Sequence, residues 1–150
     1  MDYDIFNGDA DGICALIQLR LAEPRPDAVL VTGVKRDIQL LGRIPDEGVD
    51  RVTALDISFD KNREDVKRLL SAGAEVFFCD HHFSGDIPDA AKLDVLISPA
   101  PEVCTSALVN GRLRSAFTEW AVVGCFGDNL DTTADNLIGN LSSSVDRDSL

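Results

Sequence analysis

Four short stretches of this chain carry side chains that could do chemistry together. Asn7-Gly8-Asp9-Ala10-Asp11-Gly12 sets two carboxylates at alternate positions in a tight turn after an apolar run. Asp56 ends a second apolar run, in Ala54-Leu55-Asp56-Ile57-Ser58. Asp80-His81-His82 follows a third, Val76-Phe77-Phe78-Cys79, and contains the only 2 histidines of the chain. Gly127-Asp128-Asn129 closes an apolar segment that ends in Gly124-Cys125-Phe126. Carboxylates gathered at one place repel one another and cost stability unless cations neutralise them. A dinuclear metal centre is the simplest source of that charge. Carboxylate oxygen with imidazole nitrogen suits Mn²⁺, with Mg²⁺ or Co²⁺ as substitutes, and two such ions suit displacement at phosphorus.

Each stretch also has a plainer reading. A D-x-D-G turn opens many helices without binding anything, and Asp56 alone could cap a strand end. Asn7, Asp9, Asp11 and Gly12 also match the opening of a calcium-binding EF-hand loop. Gln18 stands there where that loop needs a bidentate glutamate, however, and the residues before Asn7 read as strand instead of helix. The turn reading is compatible with the ligand reading, since Gly8 and Gly12 allow backbone angles that aim the carboxylates.

The elements that must position these groups follow from hydrophobic patterning. Residues 3–6, 28–32, 51–57, 75–79 and 94–97 read as strands. Residues 13–21 form a helical pattern stopped by Pro24 and Pro26. Residues 60–70 form a second, with Val66, Leu69 and Leu70 on one face and Ala72-Gly73 closing it. A third covers about 115–126. Strands alternating with helices of that length predict an α/β domain, a Rossmann-like three-layer α/β/α arrangement around a mainly parallel sheet. Such sheets bind ligands beyond the carboxyl ends of their strands, which is where the four stretches fall. Residues 131–150 read as a polar, loosely ordered tail.

The 150 residues suit one sizeable core, and 45% hydrophobic with 27% charged residues is an ordinary globular composition. Acidic residues number 26 against 14 basic, a formal net charge of −12. That charge repels a long polyanion, so long duplex DNA is not an expected partner. The 4 cysteines are widely spaced, lack a C-x-x-C pairing and read as reduced and structural. With no apolar run of membrane-spanning length and no leader-like start, a soluble, cytoplasmic protein without a membrane partner is expected.

The ordered set N-G-D-A-D-G, L-D-I-S, D-H-H and G-D-N resembles the four motifs of the DHH phosphoesterases. That family includes single-strand exonucleases, nano-RNases with pAp phosphatases, cyclic-dinucleotide phosphodiesterases and a class of pyrophosphatases. The resemblance spans residues 3–130, and Cys104-Thr105-Ser106-Ala107-Leu108 is similar to a T-S-A-L segment found between the third and fourth motifs. It implies two Mn²⁺ ions, with Asp9 on the first, Asp11 on the second, Asp56 bridging, and His81 and Asp128 completing the second. It further implies that His82 faces the substrate phosphate and that Asp80 orients a histidine ring. His82, Asp56 and Asp80 are thus the expected catalytic groups.

The pattern departs from the family in two respects. Many relatives place a metal-binding histidine two or four residues before the position of Asp9, where this chain has Asn7 and Ile5; Asn7 is then a weak ligand at best. Family enzymes also continue into a smaller C-terminal substrate-binding domain, so residues 1–130 are expected to be the catalytic domain and 131–150 the start of a linker to such a domain. A short form completed by a partner or by self-association is the other reading. Arg36, Arg112 and Arg114 are the basic residues expected to meet substrate. The implied activity is hydrolysis of phosphoester bonds in a small nucleotide or short single-stranded oligonucleotide. The alternatives are a pyrophosphatase-like hydrolase and a non-catalytic binding or scaffold module.

Overall fold

Alternate residues of the central strands face two different cores, and that alternation fixes the architecture. In the computed structural model, which describes residues 1–141, β1 (Asp2–Asn7), β2 (Val29–Gly33), β3 (Arg51–Leu55), β4 (Glu75–Asp80) and β5 (Leu93–Ile97) form one sheet in the order β2-β1-β3-β4-β5. Every pairing is parallel, with Ile5 opposite Ala54, Ala54 opposite Phe78 and Phe78 opposite Val95. Ile5, Val52, Ala54, Val76 and Phe78 pack toward α2 (Phe59–Ser71) and a 3₁₀ turn at Leu40–Arg43. Phe6, Leu55 and Cys79 pack the other way, with Ala15 and Leu16 of α1 (Ala10–Ala22) and Val109 of α3 (Thr105–Arg112). The three-layer α/β/α expectation holds.

The local chemistry accounts for the element ends. Asp9 caps α1 by accepting from the Gly12 amide at 3.0 Å, and Ser58 caps α2 through Lys61. Gly73, with φ of +97°, ends α2 in the left-handed conformation that glycine adopts most readily. On the α1 side of the sheet, buried Asp4 is held by both Arg20 Nε and Nη2 at 2.7 Å, and Arg20 also donates to Thr53. A buried carboxylate within β1 is thereby paired.

Two expectations change, and one segment given no element by the sequence is helical. The single helix over 115–126 is instead α4 (Thr118–Gly127), because Arg114 and Ser115 take φ of 53° and 61° and break the chain away from α3. The T-S-A-L segment is itself helical, as α3. Residues 131–141, read as loosely ordered, form α5 (Asp131–Leu141); its Ala134 is buried with Cys104 and Cys125. The rest of that tail, 142–150, lies outside the described residues. All four cysteines are free and buried, with the Cys104 and Cys125 sulfurs 3.4 Å apart. Among the described residues no helix is long and apolar enough to cross a membrane.

Candidate metal centre

The strand order sets the place of the site. The chain leaves β1 through α1 toward β2, and leaves β3 through α2 toward β4, so the connections diverge between β1 and β3 and open a crevice at their carboxyl ends. Asn7, Asp9, Asp56, His81, His82 and Asp128 line a cavity of about 180 Å³ there, together with Lys35, Gly127 and Asn129.

His81 is the hub. Its Nε2 lies 3.1 Å from Asp56 Oδ1, 3.4 Å from Asp128 Oδ2 and 3.7 Å from Asp11 Oδ2. Donor atoms of Asp11, His81 and Asp128 lie within 4.8 Å of one another, and so do those of Asp56, Asp80, His81 and His82. Asp9 lines the cavity but stands outside both sets, its oxygens accepting from the Gly12 amide and from Asn7 Nδ2 at 3.2 Å. His82 Nδ1 is 2.7 Å from Asp80 Oδ1, so the buried carboxylate orients the more exposed ring.

Asp56 is held under strain. It takes φ of +58°, left-handed for a residue other than glycine, a conformation that costs about 1–3 kcal/mol and concentrates at functional sites. Its amide still donates to Cys79 O at 3.0 Å, so the turn is tied to β4 while the carboxylate is redirected. The glycines of the first motif serve close approach and not unusual angles. A Cβ on Gly12 would lie 2.1 Å from Asn7 O, and one on Gly8 would lie 2.9 Å from Gly33 O.

Burial sets the proton balance. Burial, opposed by the His81 contact and reinforced by Asp11 and Asp9, pushes Asp56 up to about 8. The Asp56 contact lifts His81 to about 9 against its own burial, aided by Asp11 and Asp128. Burial and Asp11 also raise Asp128, and the Asp80 contact raises His82. Near neutrality the cluster therefore keeps protons that a cation would displace.

The donor set fits a divalent cation. Asp56 Oδ2, Asp80 Oδ2 and Asn7 Oδ1 are buried without a hydrogen-bond partner, an expensive condition that a metal ion or its waters would relieve. Oxygen and imidazole ligands without sulfur suit Mn²⁺ or Mg²⁺ more than the thiophilic metals.

Sequence reasoning missed what holds Asp11. Its carboxylate accepts from the Thr105 amide at 2.9 Å and the Ser106 amide at 2.7 Å, the first N–H groups of α3, and Ser106 Oγ donates to Asp11 O at 2.8 Å. A helix N-terminus thus supports a buried carboxylate. Thr105 Oγ1 also donates to Asp56, at 3.3 Å. The T-S pair was visible in the sequence, but its role requires α3 to be recognised as a helix.

The predicted basic residues do not gather here. Arg112 makes two bonds to Asp94, at 2.8 and 3.1 Å, and lies 5.2 Å over the Phe77 ring, in a separate cavity with Arg20 and Arg25. Seven residues along α3 from Thr105, it stands about 10 Å down the helix axis from the site. Arg114, just past the end of α3, is exposed at that same far end. Arg36 lines a neighbouring cavity with Gln39 and Arg43; the cation that lines the metal cavity is Lys35.

No family model and no curated protein matches the sequence. Solved structures do match the fold. An exonuclease RecJ bound to manganese superposes with a TM-score of 0.60 at 22% identity, over 91% of this chain and 41% of that one. RecJ from Thermus thermophilus in complex with Mn²⁺ gives 0.56 at 21% identity, over 85% and 21%. CDC45 from Entamoeba histolytica gives 0.61 at 12% identity, over 95% and 34%. The chain thus spans less than half the length of each. Its fold is that of these RecJ and CDC45 structures, in keeping with the resemblance to DHH phosphoesterases that the four motifs carry.

Proposed function

We propose that this chain is the metal-binding domain of a manganese-dependent DHH-type phosphoesterase that acts on small nucleotides or short single-stranded oligonucleotides. The observation that carries the reading is the placement of His81 Nε2 within 3.7 Å of Asp11, Asp56 and Asp128, three carboxylates from three separate motifs. The likeness to two RecJ structures that hold manganese supports the same metal.

In this reading Asp11, Asp56, His81 and Asp128 would hold one ion, and Asp9 and Asn7 would help to hold a second, more weakly bound one. Bound divalent ions supply Lewis acidity and a water activated near neutral pH. The protein's own groups then divide the remaining work. His82, oriented by Asp80, donates to a phosphate oxygen and stabilises charge that develops there. Lys35 adds a positive charge in a chain of net charge −12, favouring entry of an anionic ester. A second domain following α5 would close over the substrate, and a reducing compartment such as the cytoplasm suits the four free cysteines.

A pyrophosphatase-like hydrolase would use the same cluster. The likeness to CDC45, as strong as that to RecJ, also leaves a non-catalytic binding module as the second reading. A substrate panel separates them: pAp, a linear dinucleotide, a cyclic dinucleotide, phosphorylated single-stranded DNA and pyrophosphate, each with Mn²⁺, beside an Asp56→Asn control. The expected result is Mn²⁺-dependent release from one of the nucleotide esters. Turnover of pyrophosphate alone would favour the pyrophosphatase, and no turnover by the full-length protein would favour the binding module.

A further inference from the structure

The metal cavity has a neighbour of different character. A second cavity, of about 140 Å³, shares Asn7, Lys35, Asp56 and His82 with it but is walled by Ile38 and Ile57. Ile57 is 4% exposed and belongs to the core beneath; Ile38 is 44% exposed on the loop after β2. An isoleucine exposed on a loop is ordinary by itself. This one is held in place by a residue that no functional motif includes. Asn62, fully buried in α2, donates to Ile38 O at 2.6 Å and to Ser58 O at 2.8 Å, and accepts from the Leu41 amide at 3.3 Å. One side chain therefore ties together the two segments that form the walls, the loop carrying Ile38 and the turn carrying Ile57 and Ser58. The slot is built before any ligand arrives.

We propose that this slot binds the nucleobase of the nucleotide whose phosphate lies at the metal cluster. The inference rests on the phosphoesterase reading above and names the part of the substrate it recognises. The apolar lining from Ile38, with Ile57 at its base, suits the flat face of a base, and the volume suits one base. Lys35 lines both cavities, which places a cation beside a phosphate at the metal cluster whose ribose would carry the base into the slot. Asp37 lines the slot as well and opposes a second phosphate there, which favours an uncharged base over the next unit of a polyphosphate.

Binding tests this without turnover. Calorimetry in Mn²⁺ compares a non-hydrolysable methylene phosphonate analogue of a nucleoside monophosphate with the same compound lacking its base. The expected result is about tenfold tighter binding of the nucleoside compound, the scale of one stacked base. Ile38→Ser and Ile38→Asn, at an exposed position, should abolish that preference and leave the affinity of the base-free compound unchanged. Equal affinities in the wild type, a preference that survives both substitutions, or no binding of either compound overturns the proposal. A preference lost in the variants, in a chain that hydrolyses no substrate, upholds the slot and sinks the enzymatic reading alone.

Discussion

His81 Nε2 and Asp56 Oδ1 lie 3.1 Å apart, although 25 residues separate them in the chain. Parallel pairing of β3 with β4 puts Leu55 opposite Cys79, so the residues that follow each strand emerge side by side. The contact is a product of register, and a slip of either strand would separate the two groups.

Asp56→Asn separates metal binding from folding. Asparagine tolerates the left-handed backbone at this position but brings no charge. Turnover with Mn²⁺ should fall by more than about 100-fold, beyond the range seen for outer partners of a metal site. The metal-free variant should be more stable than the wild type at pH 8.5 by about 1 kcal/mol, or about 3 °C in Tm for a chain of this size. Calorimetric scans with and without Mn²⁺ read both effects; equal Mn²⁺ stabilisation in variant and wild type would remove Asp56 from the site.

Stability of the metal-free protein should fall as pH rises. Asp56 is raised from 3.8 to about 8 and His81 from 6.5 to about 9, so each favours the folded state in its protonated form. The two groups are in contact and hold their protons as a pair, so one joint contribution is lost as pH climbs from 6.5 toward about 9. Saturating Mn²⁺ replaces those protons and should flatten the profile. Urea midpoints from pH 6 to 9 check this, and a metal-free midpoint that increases over that interval contradicts it.

Gly124→Ala probes the support of Asp11. A Cβ there would lie 2.3 Å from Ser106 Oγ and 3.4 Å from Asp11 Oδ1. Overpacking of this kind costs about 1–3 kcal/mol, and displacing Ser106 should also weaken the metal site. Denaturation and Mn²⁺ titration together read the outcome; loss of stability with unchanged Mn²⁺ affinity would show that α3 does not support the ligand.

Arg20→Met is the matched control. It leaves Asp4 buried without its partner, a change that costs about 3–5 kcal/mol in such pairs. Asp4 lies on the α1 side of β1, away from the metal cavity, so Mn²⁺ affinity in the folded protein should be unchanged.

The residues that come together at the cavity were legible because each follows a strand or a buried apolar segment, and apolar runs mark those ends well. Asp9, Asp56, His81, His82 and Asp128 all line one cavity. The supporting structure was less visible. Residues 105–112 are too short a run to show a helical period, and residues 131–141 bury only Ala134, so polar composition hid a helix. Choosing among cations was also beyond the sequence. Lys35 and Arg36 are adjacent, and only the path of the loop sends one and not the other to the metal cavity. Asn7, the departure from the family pattern, is buried with a free carbonyl oxygen, a position consistent with a weak ligand.

The amides that grip Asp11 come from Thr105 and Ser106, 94 and 95 residues later in the chain. During synthesis the first two motifs emerge early, yet they have nothing to hold the buried carboxylate until α3 has left the ribosome and docked. With Asp11 as a ligand, ion capture would follow the docking of α3, and a nascent chain that stalls before residue 106 would lack the amides that hold this carboxylate.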